Sequence, residues 1–116
     1  MKKIILLIIS ALFFSTNSFA YYTYGSGAST CKEWVSDEDS DSSLVSSRRA
    51  WTSGYMSGLN AGVGQELFFD DGIDLSTTYD YIIFYCRAHP DDSPASAIAE
   101  MIIKIRKENS KDKKQN

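Results

Sequence analysis

Two cysteines, Cys31 and Cys86, set the strongest constraint on what this chain can fold into. A bond between them would close a loop of about 55 residues and restrict the unfolded chain by roughly 4 kcal/mol in the entropic account of disulfides. That is a large share of the roughly 5–10 kcal/mol of stability expected for a small domain. Two cysteines allow a single pairing, and two buried free thiols are the alternative. A zinc site is not expected, because the cysteines and the lone His89 do not supply four ligands.

The start of the chain predicts export to a compartment in which cysteines pair. A basic start and an almost unbroken apolar run at 4–14 precede Ser18-Phe19-Ala20, which places small residues at the −3 and −1 positions of a secretory cleavage site. The apolar run is shorter than the roughly 20 residues that cross a bilayer, so no stable membrane anchor is expected. We therefore interpret residues 1–20 as a cleaved signal peptide, and an oxidising compartment favours the disulfide.

Export also changes the charge of the working protein. The chain has 12 basic and 15 acidic residues, and loss of two lysines with the leader moves the formal charge from −3 to −5. The segment 21–92 carries a net −8, whereas 93–116 carries +3. An acidic exported domain is not expected to bind nucleic acid, whose phosphates require a basic face. The short basic end is more typical of a solvated tail than of a nucleic-acid arm.

The mature chain of about 96 residues has room for one small domain. Residues 21–29 contain glycines without periodicity and predict a flexible leader, and 110–116 are expected to form a basic disordered tail. The helical disulfide domain is assigned to 30–109, where four helical patterns and no strand pattern occur. The predicted fold is all-α, a small bundle of about four helices stapled by one disulfide.

The first helix is predicted to begin with a capping box formed by Thr30 and Glu33, whose side chains satisfy each other's free backbone N–H groups. The polar run at 36–43 should end this helix in an exposed loop, because its carboxylates repel one another. Helical spacing brings three apolar residues to one face, namely Cys31, Trp34 and Val35.

The second helix, predicted at 44–63 with Gly64 as its end, combines two ridges of residues spaced by four. Large apolar residues from Trp51 to Val63 form one ridge, and three glycines beside Ala50 form the next. A glycine in a helix costs roughly 1 kcal/mol relative to alanine, so we expect a neighbouring backbone to pack closely along the stripe. The predicted helix-packing residues are Trp51, Gly54, Tyr55, Gly58, Leu59 and Gly62.

Two further helices follow from the core spacing i, i+3, i+4, i+7. The third is predicted at 76–87 and should end at His89-Pro90, since the residue before proline avoids helical dihedrals. Its stripe is Tyr79, Ile82, Ile83 and Cys86, and Tyr81, Phe84 and Tyr85 should leave it nearly enclosed. The fourth is predicted to open at Pro94 after a cap at Asp92 or Ser93, with the stripe Ile98, Met101, Ile102 and Ile105.

Two clusters are candidates for a partner surface. The loop before the third helix contains adjacent phenylalanines, which we expect to tuck beneath the helices, with exposure to a partner as the alternative. The acidic run would suit a basic partner, and a contribution to solubility is the alternative. The candidate partner residues are Asp37, Asp39, Asp41, Phe68 and Phe69.

The sequence offers no catalytic, metal or cofactor site. The acidic run matches positions 1, 3 and 5 of a calcium loop, but Ser42 replaces the required glycine and Arg48 stands where a bidentate glutamate belongs. His89 sits at a helix end without a nucleophile motif. We expect no enzyme activity and no cofactor. A carboxylate-pair hydrolase is the alternative, although nothing places two carboxylates in an apolar pocket.

The order of features resembles the HdeA/HdeB family of small periplasmic acid-stress chaperones. The resemblance is carried by 30–34 (Thr-Cys-Lys-Glu-Trp), 51–58 (Trp-x-x-Gly-Tyr-Met-x-Gly) and 85–90 (Tyr-Cys-Arg-Ala-His-Pro), followed by a helix with Ala95, Ala97 and Ala99. It implies a periplasmic helical domain in which a disulfide joins the first and third helices, and a homodimer at neutral pH. It further implies that acid protonates carboxylates, loosens the dimer and exposes apolar surface that holds unfolding clients.

The chain also resembles, more distantly, the Rap/Tai-type immunity proteins. It shares their aromatic-Cys element, glycine-containing helix and late His-Pro before an alanine-rich helix, but it lacks the additional C-terminal cysteines that members often carry. This resemblance implies a domain that binds and neutralises a secreted toxin in the periplasm. Both resemblances point to a non-enzymatic protein-binding domain, whose partner is either unfolded clients or one specific toxin.

Overall fold

The computed structural model describes residues 23–115, so the expected signal peptide lies outside the described residues. Within this range the chain forms helices and connecting turns, without a strand. The prediction of an all-α fold with about four helices and one disulfide is therefore confirmed for this part of the chain. The α-helices are α1 (Cys31–Asp39), α2 (Val45–Val63), α3 (Leu75–Ala88) and α4 (Pro94–Gln115), with short 3-10 turns at Gly25–Ala28 and Phe69–Asp71.

Local sequence signals set the helix ends. The capping box before α1 is confirmed: the Thr30 N–H donates to Glu33 Oε2 at 2.7 Å, and the Glu33 N–H donates to Thr30 Oγ1 at 3.4 Å. Asp74 caps α3 by accepting the Thr77 N–H at 2.7 Å, two residues before the predicted start. Gly64 ends α2 as predicted, in the left-handed backbone region at φ 68°, where glycine has no Cβ to clash.

The Cys31–Cys86 disulfide joins α1 to α3 across a sequence separation of 55, with the two Cα atoms 4.6 Å apart. Both cysteines are buried, and beside them the fully buried Trp34 ring lies 6.1 Å from the Tyr79 ring. Helix α3 forms the two largest helix interfaces, one with α1 and one with α4. Its predicted stripe is buried, and α4 covers it with Ala97, Ile98 and Met101.

Main-chain hydrogen bonds also fix the start of α1. The Cys31 N–H donates to the Asp92 carbonyl and the Lys32 N–H donates to the Pro90 carbonyl, both at 2.9 Å. These carbonyls belong to the connection between α3 and α4. The first turn of α1 is thus bound to α3 by the disulfide and to the following connection by its own backbone, which satisfies two N–H groups that a helix start leaves free.

Three details of the predicted helices are wrong. Helix α1 runs through Asp39, inside the polar run that was expected to end it. Helix α3 is not nearly enclosed, because Phe84 is 70% exposed on the side away from the core. Helix α4 continues to Gln115 rather than fraying after 109. No glycine or proline interrupts the last segment, and Lys113 and Lys114 suit the negative end of the helix dipole.

In the described residues, no helix combines the length and the apolar character that crossing a membrane requires.

Removing the disulfide tests its part in stability. Replacing Cys31→Ser and Cys86→Ser together should lower the free energy of unfolding by about 4 kcal/mol, because the unfolded chain regains the freedom of the closed loop. Urea unfolding followed by circular dichroism measures this loss. A reductant should reproduce it in the wild type and have no effect on the double variant. Equal unfolding midpoints for variant and wild type would contradict the expectation.

Candidate functional site

Residues 23–29 of the predicted flexible leader form a defined segment in the structure. Residues 24–29, which we call the strap, form a 3-10 turn whose backbone carbonyls accept hydrogen bonds from side chains of α1 and α2. Trp34 Nε1 and Arg48 Nη1 both donate to the Ser26 carbonyl at 2.9 Å, and Trp51 Nε1 donates to the Tyr24 carbonyl at 3.1 Å. The expectation of flexibility is therefore wrong for residues 23–29, while residues 21 and 22 lie outside the described range.

Gly27 makes the closest approach between the strap and α2. A Cβ at this position would lie 2.0 Å from Cζ2 and 2.2 Å from Cε2 of the Trp51 indole, much nearer than real Cβ contacts. Only a residue without a side chain can therefore occupy this point of the strap while Trp51 stays in place. Gly27 is itself buried by this contact.

The strap covers a pair of indoles. The Trp34 and Trp51 rings meet edge to face with centroids 5.5 Å apart, and the Trp51 ring also stacks on Tyr55 at 4.7 Å. Trp34 is fully buried, whereas Trp51 and Tyr55 are half-buried. We call the surface beneath the strap, formed by Trp34, Arg48 and Trp51, the indole groove.

Arg48 is a buried cation at the edge of the indole groove, with 6% of the residue exposed. Its Nε and Nη2 donate to Asp37 Oδ2 at 3.0 and 2.6 Å, which leaves Nη1 for the Ser26 carbonyl. The guanidinium carbon also lies 5.2 Å from the centre of the Trp34 ring. A buried guanidinium needs such a partner, because removing its charge from water is costly unless it is paired and hydrogen-bonded.

The three acidic residues predicted as a partner surface have different surroundings. Asp37 is half-buried against Arg48, and Asp39 forms an exposed ion pair with Arg87 at 2.5 Å. The Arg87 guanidinium holds the pKa of Asp39 below its usual range. Asp41 is exposed in the left-handed region at φ 49°, which aspartate tolerates better than most residues. Two of the three carboxylates are therefore engaged within the chain.

The two adjacent phenylalanines differ in burial. Phe68 is 2% exposed, as expected for a residue tucked beneath the helices, and it is therefore not available to a partner. Phe69 is 77% exposed, so the expectation that it tucks under is wrong. Both N–H groups donate to Glu66 Oε1 at 2.9 Å, and these bonds lower the pKa of Glu66. The tight turn that results can direct only one of two adjacent rings inward.

The glycine stripe of α2 does not pack as predicted. A Cβ at Gly54, Gly58 or Gly62 would have no atom within 4 Å outside its own helix, and all three residues are exposed. The expectation of a close backbone neighbour is wrong for the described chain. The large ridge does pack, since Trp51, Tyr55 and Leu59 lie against the core as half-buried residues. The spacing of four therefore predicted the packing of the large apolar ridge, but it did not predict that the glycine ridge is exposed.

Two other carboxylates accept hydrogen bonds from tyrosines of α3. Tyr79 of α3 donates to Glu38 of α1 at 2.8 Å, and burial together with this bond raises the pKa of Tyr79. Tyr85 donates to Asp92 at 2.5 Å, which raises the pKa of Tyr85 to about 12 and lowers that of Asp92. Each bond favours the neutral phenol, and the bond from Tyr85 also favours the ionised form of Asp92.

Nothing in the geometry of residues 23–115 forms a metal-binding group of three or more His, Cys, Asp or Glu side chains. His89 ends α3, where its ring stacks on Tyr85 with centroids 4.1 Å apart and its Nδ1 lies 2.9 Å from the Tyr85 carbonyl. The histidine thus packs against its own helix end.

The cleft beside Phe69, with a volume of about 290 Å³, is lined by Met56, Asn60, Glu66 and Ile73 among others.

Sequence reasoning missed the strap and Arg48. The signal for Arg48 was its place three residues before Trp51 and four before the buried Thr52, on the covered side of α2. The signal for the strap was the pair Gly25 and Gly27, which permits a tight turn, but the indoles that hold this turn are remote in sequence.

The fold and the site define a small all-α domain with one disulfide and a strap closed over two indoles. Comparisons of the chain with known protein families, with curated proteins and with solved structures find no match.

The buried and the exposed arginine should differ in their effect on stability. Arg48→Met should lower the free energy of unfolding by about 2 kcal/mol, because Asp37 and the Ser26 carbonyl lose their charged donor. Arg87→Met is the matched control and should change stability little, since its ion pair with Asp39 is exposed. Urea unfolding of the two variants measures the difference. Equal losses for both would contradict the assigned importance of Arg48.

Proposed function

We propose that this protein is an exported, non-enzymatic protein-binding domain that acid converts into a holdase for unfolded polypeptides. The observation that carries the proposal is the placement of carboxylates at the contacts between helices. Among the described helices, each pair that is joined by side-chain hydrogen bonds uses at least one carboxylate. Such contacts weaken when acid protonates the carboxyl groups.

These contacts join three pairs of helices, α1 with α2, α1 with α3 and α3 with α4. Helix α1 reaches α2 through Asp37 and Arg48, and it reaches α3 through Glu38 and Asp39. Helix α4 reaches α3 through Glu100, which accepts from Tyr81 at 3.1 Å and pairs with Lys104. These bonds, with Lys104 as the larger cause, lower the pKa of Glu100. Each of these three interfaces therefore depends on at least one carboxylate.

The direction of the pH effect follows from the lowered pKa values. A carboxyl whose pKa is lower in the folded protein stabilises it above the pKa of the unfolded chain, and this stabilisation is lost as the pH falls through the folded value. The loss begins near pH 4 and continues below it. The carboxyls whose folded pKa is lowered are Glu33, Asp39, Glu66, Asp74, Asp92 and Glu100.

The net charge also favours opening of the protein as the pH falls. With the leader removed, 15 acidic and 10 basic residues leave the protein at −5 at neutral pH. Below about pH 3 most carboxylates are neutral while lysine and arginine keep their charge, so the protein becomes strongly positive. Self-repulsion then favours an opened chain. The Cys31–Cys86 disulfide does not titrate, and it limits how far α1 and α3 separate.

The proposal is tested by mixing the mature protein with a client that aggregates in acid and following light scattering. We expect suppression at about pH 3 and none at pH 7. The reduced and alkylated protein is the matched control for a disulfide-limited opening. Aggregation that proceeds unchanged at about pH 3, at every ratio of protein to client, would sink the proposal.

Asp92 allows a direct test of the carboxylate contribution. Asp92→Asn should reduce stability at pH 7, because the ionised acceptor of Tyr85 and of the Ser93 N–H is lost. The difference from wild type should shrink at about pH 3, where Asp92 is itself becoming protonated. Asp91→Asn, at the exposed neighbour, is the control and should leave stability unchanged at both pH values. A pH-independent deficit in the Asp92 variant would contradict the role of its ionisation.

A second candidate function is inhibition of one specific toxin, and the exposed Phe69 favours it. This ring is 77% exposed and precedes Asp70 and Asp71 on a tight 3-10 turn. Exposed aromatic residues are common anchors of protein interfaces, and the carboxylates would suit a basic cleft.

The test for this second candidate is growth competition with a toxin-secreting neighbour. A deletion strain should regain resistance with the wild-type gene and not with Phe69→Ala, whereas Phe84→Ala is a control at another exposed phenylalanine. Equal resistance of the deletion strain and its parent would exclude the inhibitor role.

A further inference from the structure

We propose that the indole groove is a binding site for the backbone of unfolded polypeptides and that the strap covers it while the Asp37–Arg48 ion pair is intact. This inference rests on the proposed function, and it names the surface that would hold a client. Its elements are the strap over Trp34 and Trp51, the three side-chain donors that hold the strap, and the ion pair that positions one of those donors.

The strap shows what the groove accepts. The indole N–H groups of Trp34 and Trp51 and the Arg48 guanidinium all donate to main-chain carbonyls, at 2.9 to 3.1 Å. Carbonyl groups occur in every polypeptide, so these donors recognise a chain without reference to its side chains. The indole faces add apolar contact area. The chemistry therefore fits an unfolded polypeptide rather than one particular sequence.

Gly27 explains why the chain's own strap fits the groove closely at neutral pH. Its missing side chain lets the strap backbone reach the Trp51 ring, where a Cβ would come within 2.0 Å. A strap with any larger residue here must lift or displace Trp51, which is itself held between Trp34 and Tyr55. The fit of the cover thus depends on a single small residue.

Asp37 links the strap to pH through Arg48. Two of the three Arg48 hydrogen bonds end on Asp37 Oδ2, and the third ends on the Ser26 carbonyl of the strap. When Asp37 is neutral, a buried guanidinium loses its counter-charge and gains by moving into water. That movement takes the donor away from Ser26, so the strap loses one of three bonds and its neighbouring ion pair together.

Titratable side chains of α1, α3 and the strap surround this ion pair. On its own helix α1, Lys32 and Glu33 line the same cleft as Asp37 and Arg48, and the pKa of Glu33 is lowered mainly by its bonds to Thr30. Helix α2 contributes Arg48 itself, α3 contributes Tyr79, which interacts electrostatically with Arg48, and the strap contributes Tyr24. Protonation of Glu33 removes a second negative charge near Arg48 and acts in the same direction as protonation of Asp37.

Tryptophan fluorescence reports directly on the groove, because the chain has two tryptophans and both lie in it. At pH 7 we expect Gly27→Ala in the mature full-length protein to shift emission to longer wavelength and to increase acrylamide quenching. Gly58→Ala is the matched control, since a Cβ there meets no neighbouring atom, and its emission should equal that of wild type.

The ion pair is tested independently of the glycine. Asp37→Asn should also shift emission to longer wavelength at pH 7, whereas Asp39→Asn on the same helix, which breaks the pair with Arg87, should not. Circular dichroism of every variant checks that the helices remain. On acidifying the wild type, the emission shift should occur at higher pH than the loss of helicity. A shift that coincides with helix loss would overturn the role of the strap.

Client binding is tested at pH 7 with reduced, carboxymethylated lactalbumin, a chain that stays unfolded there. Gly27→Ala should bind it and wild type should not, and a peptide of residues 23–29 should compete.

An open groove that fails to bind this probe overturns the proposed surface. Suppression of aggregation by wild type in acid, with its tryptophans still shielded, overturns this inference alone. Binding by Gly27→Ala together with no suppression by wild type in acid overturns acid activation and supports the groove.

Discussion

The disulfide between α1 and α3 is the constraint on which the remaining contacts depend. Helix α1 has nine residues and only two fully buried side chains, Cys31 and Trp34, so its apolar contacts alone would hold it weakly. The covalent bond and two backbone hydrogen bonds fix its first turn. Fixing that turn also fixes the rotation of α1 about its axis. This rotation determines which neighbours Trp34 and the carboxylates after it can contact.

From this fixed helix, polar contacts extend to the rest of the domain. Successive residues 37, 38 and 39 of α1 bind Arg48 of α2 and Tyr79 and Arg87 of α3. Arg49 adds a cation–π contact, with its guanidinium 4.1 Å from the centre of the Tyr79 ring. The acidic run that looks like a solvated loop in the sequence is therefore the part of α1 that joins two other helices. Three of its four carboxylates are therefore paired with side chains of other helices.

The features that could be predicted from sequence are those decided by neighbouring residues. The capping box, the end of α2 at Gly64 and the core stripe of α3 all depend on spacings of a few residues. The strap could not be predicted, because its bonds join Tyr24 to Trp51 and Ser26 to Arg48 across more than twenty residues. The glycine stripe was misjudged for a related reason: periodicity identifies a face of a helix, whereas only the packing of other helices decides whether that face is covered.

The contacts that do not titrate have a consequence for recovery after acid. The disulfide and the bonds from the first turn of α1 to the Pro90 and Asp92 carbonyls contain no ionisable partner. A chain opened by acid would keep the covalent link, so a contact between residues 55 apart in sequence would already be closed when neutral pH returns. Closing that loop is the entropic cost that slows folding of non-local contacts. Re-formation of the domain then requires only local helix growth and docking, which occur rapidly on folding timescales.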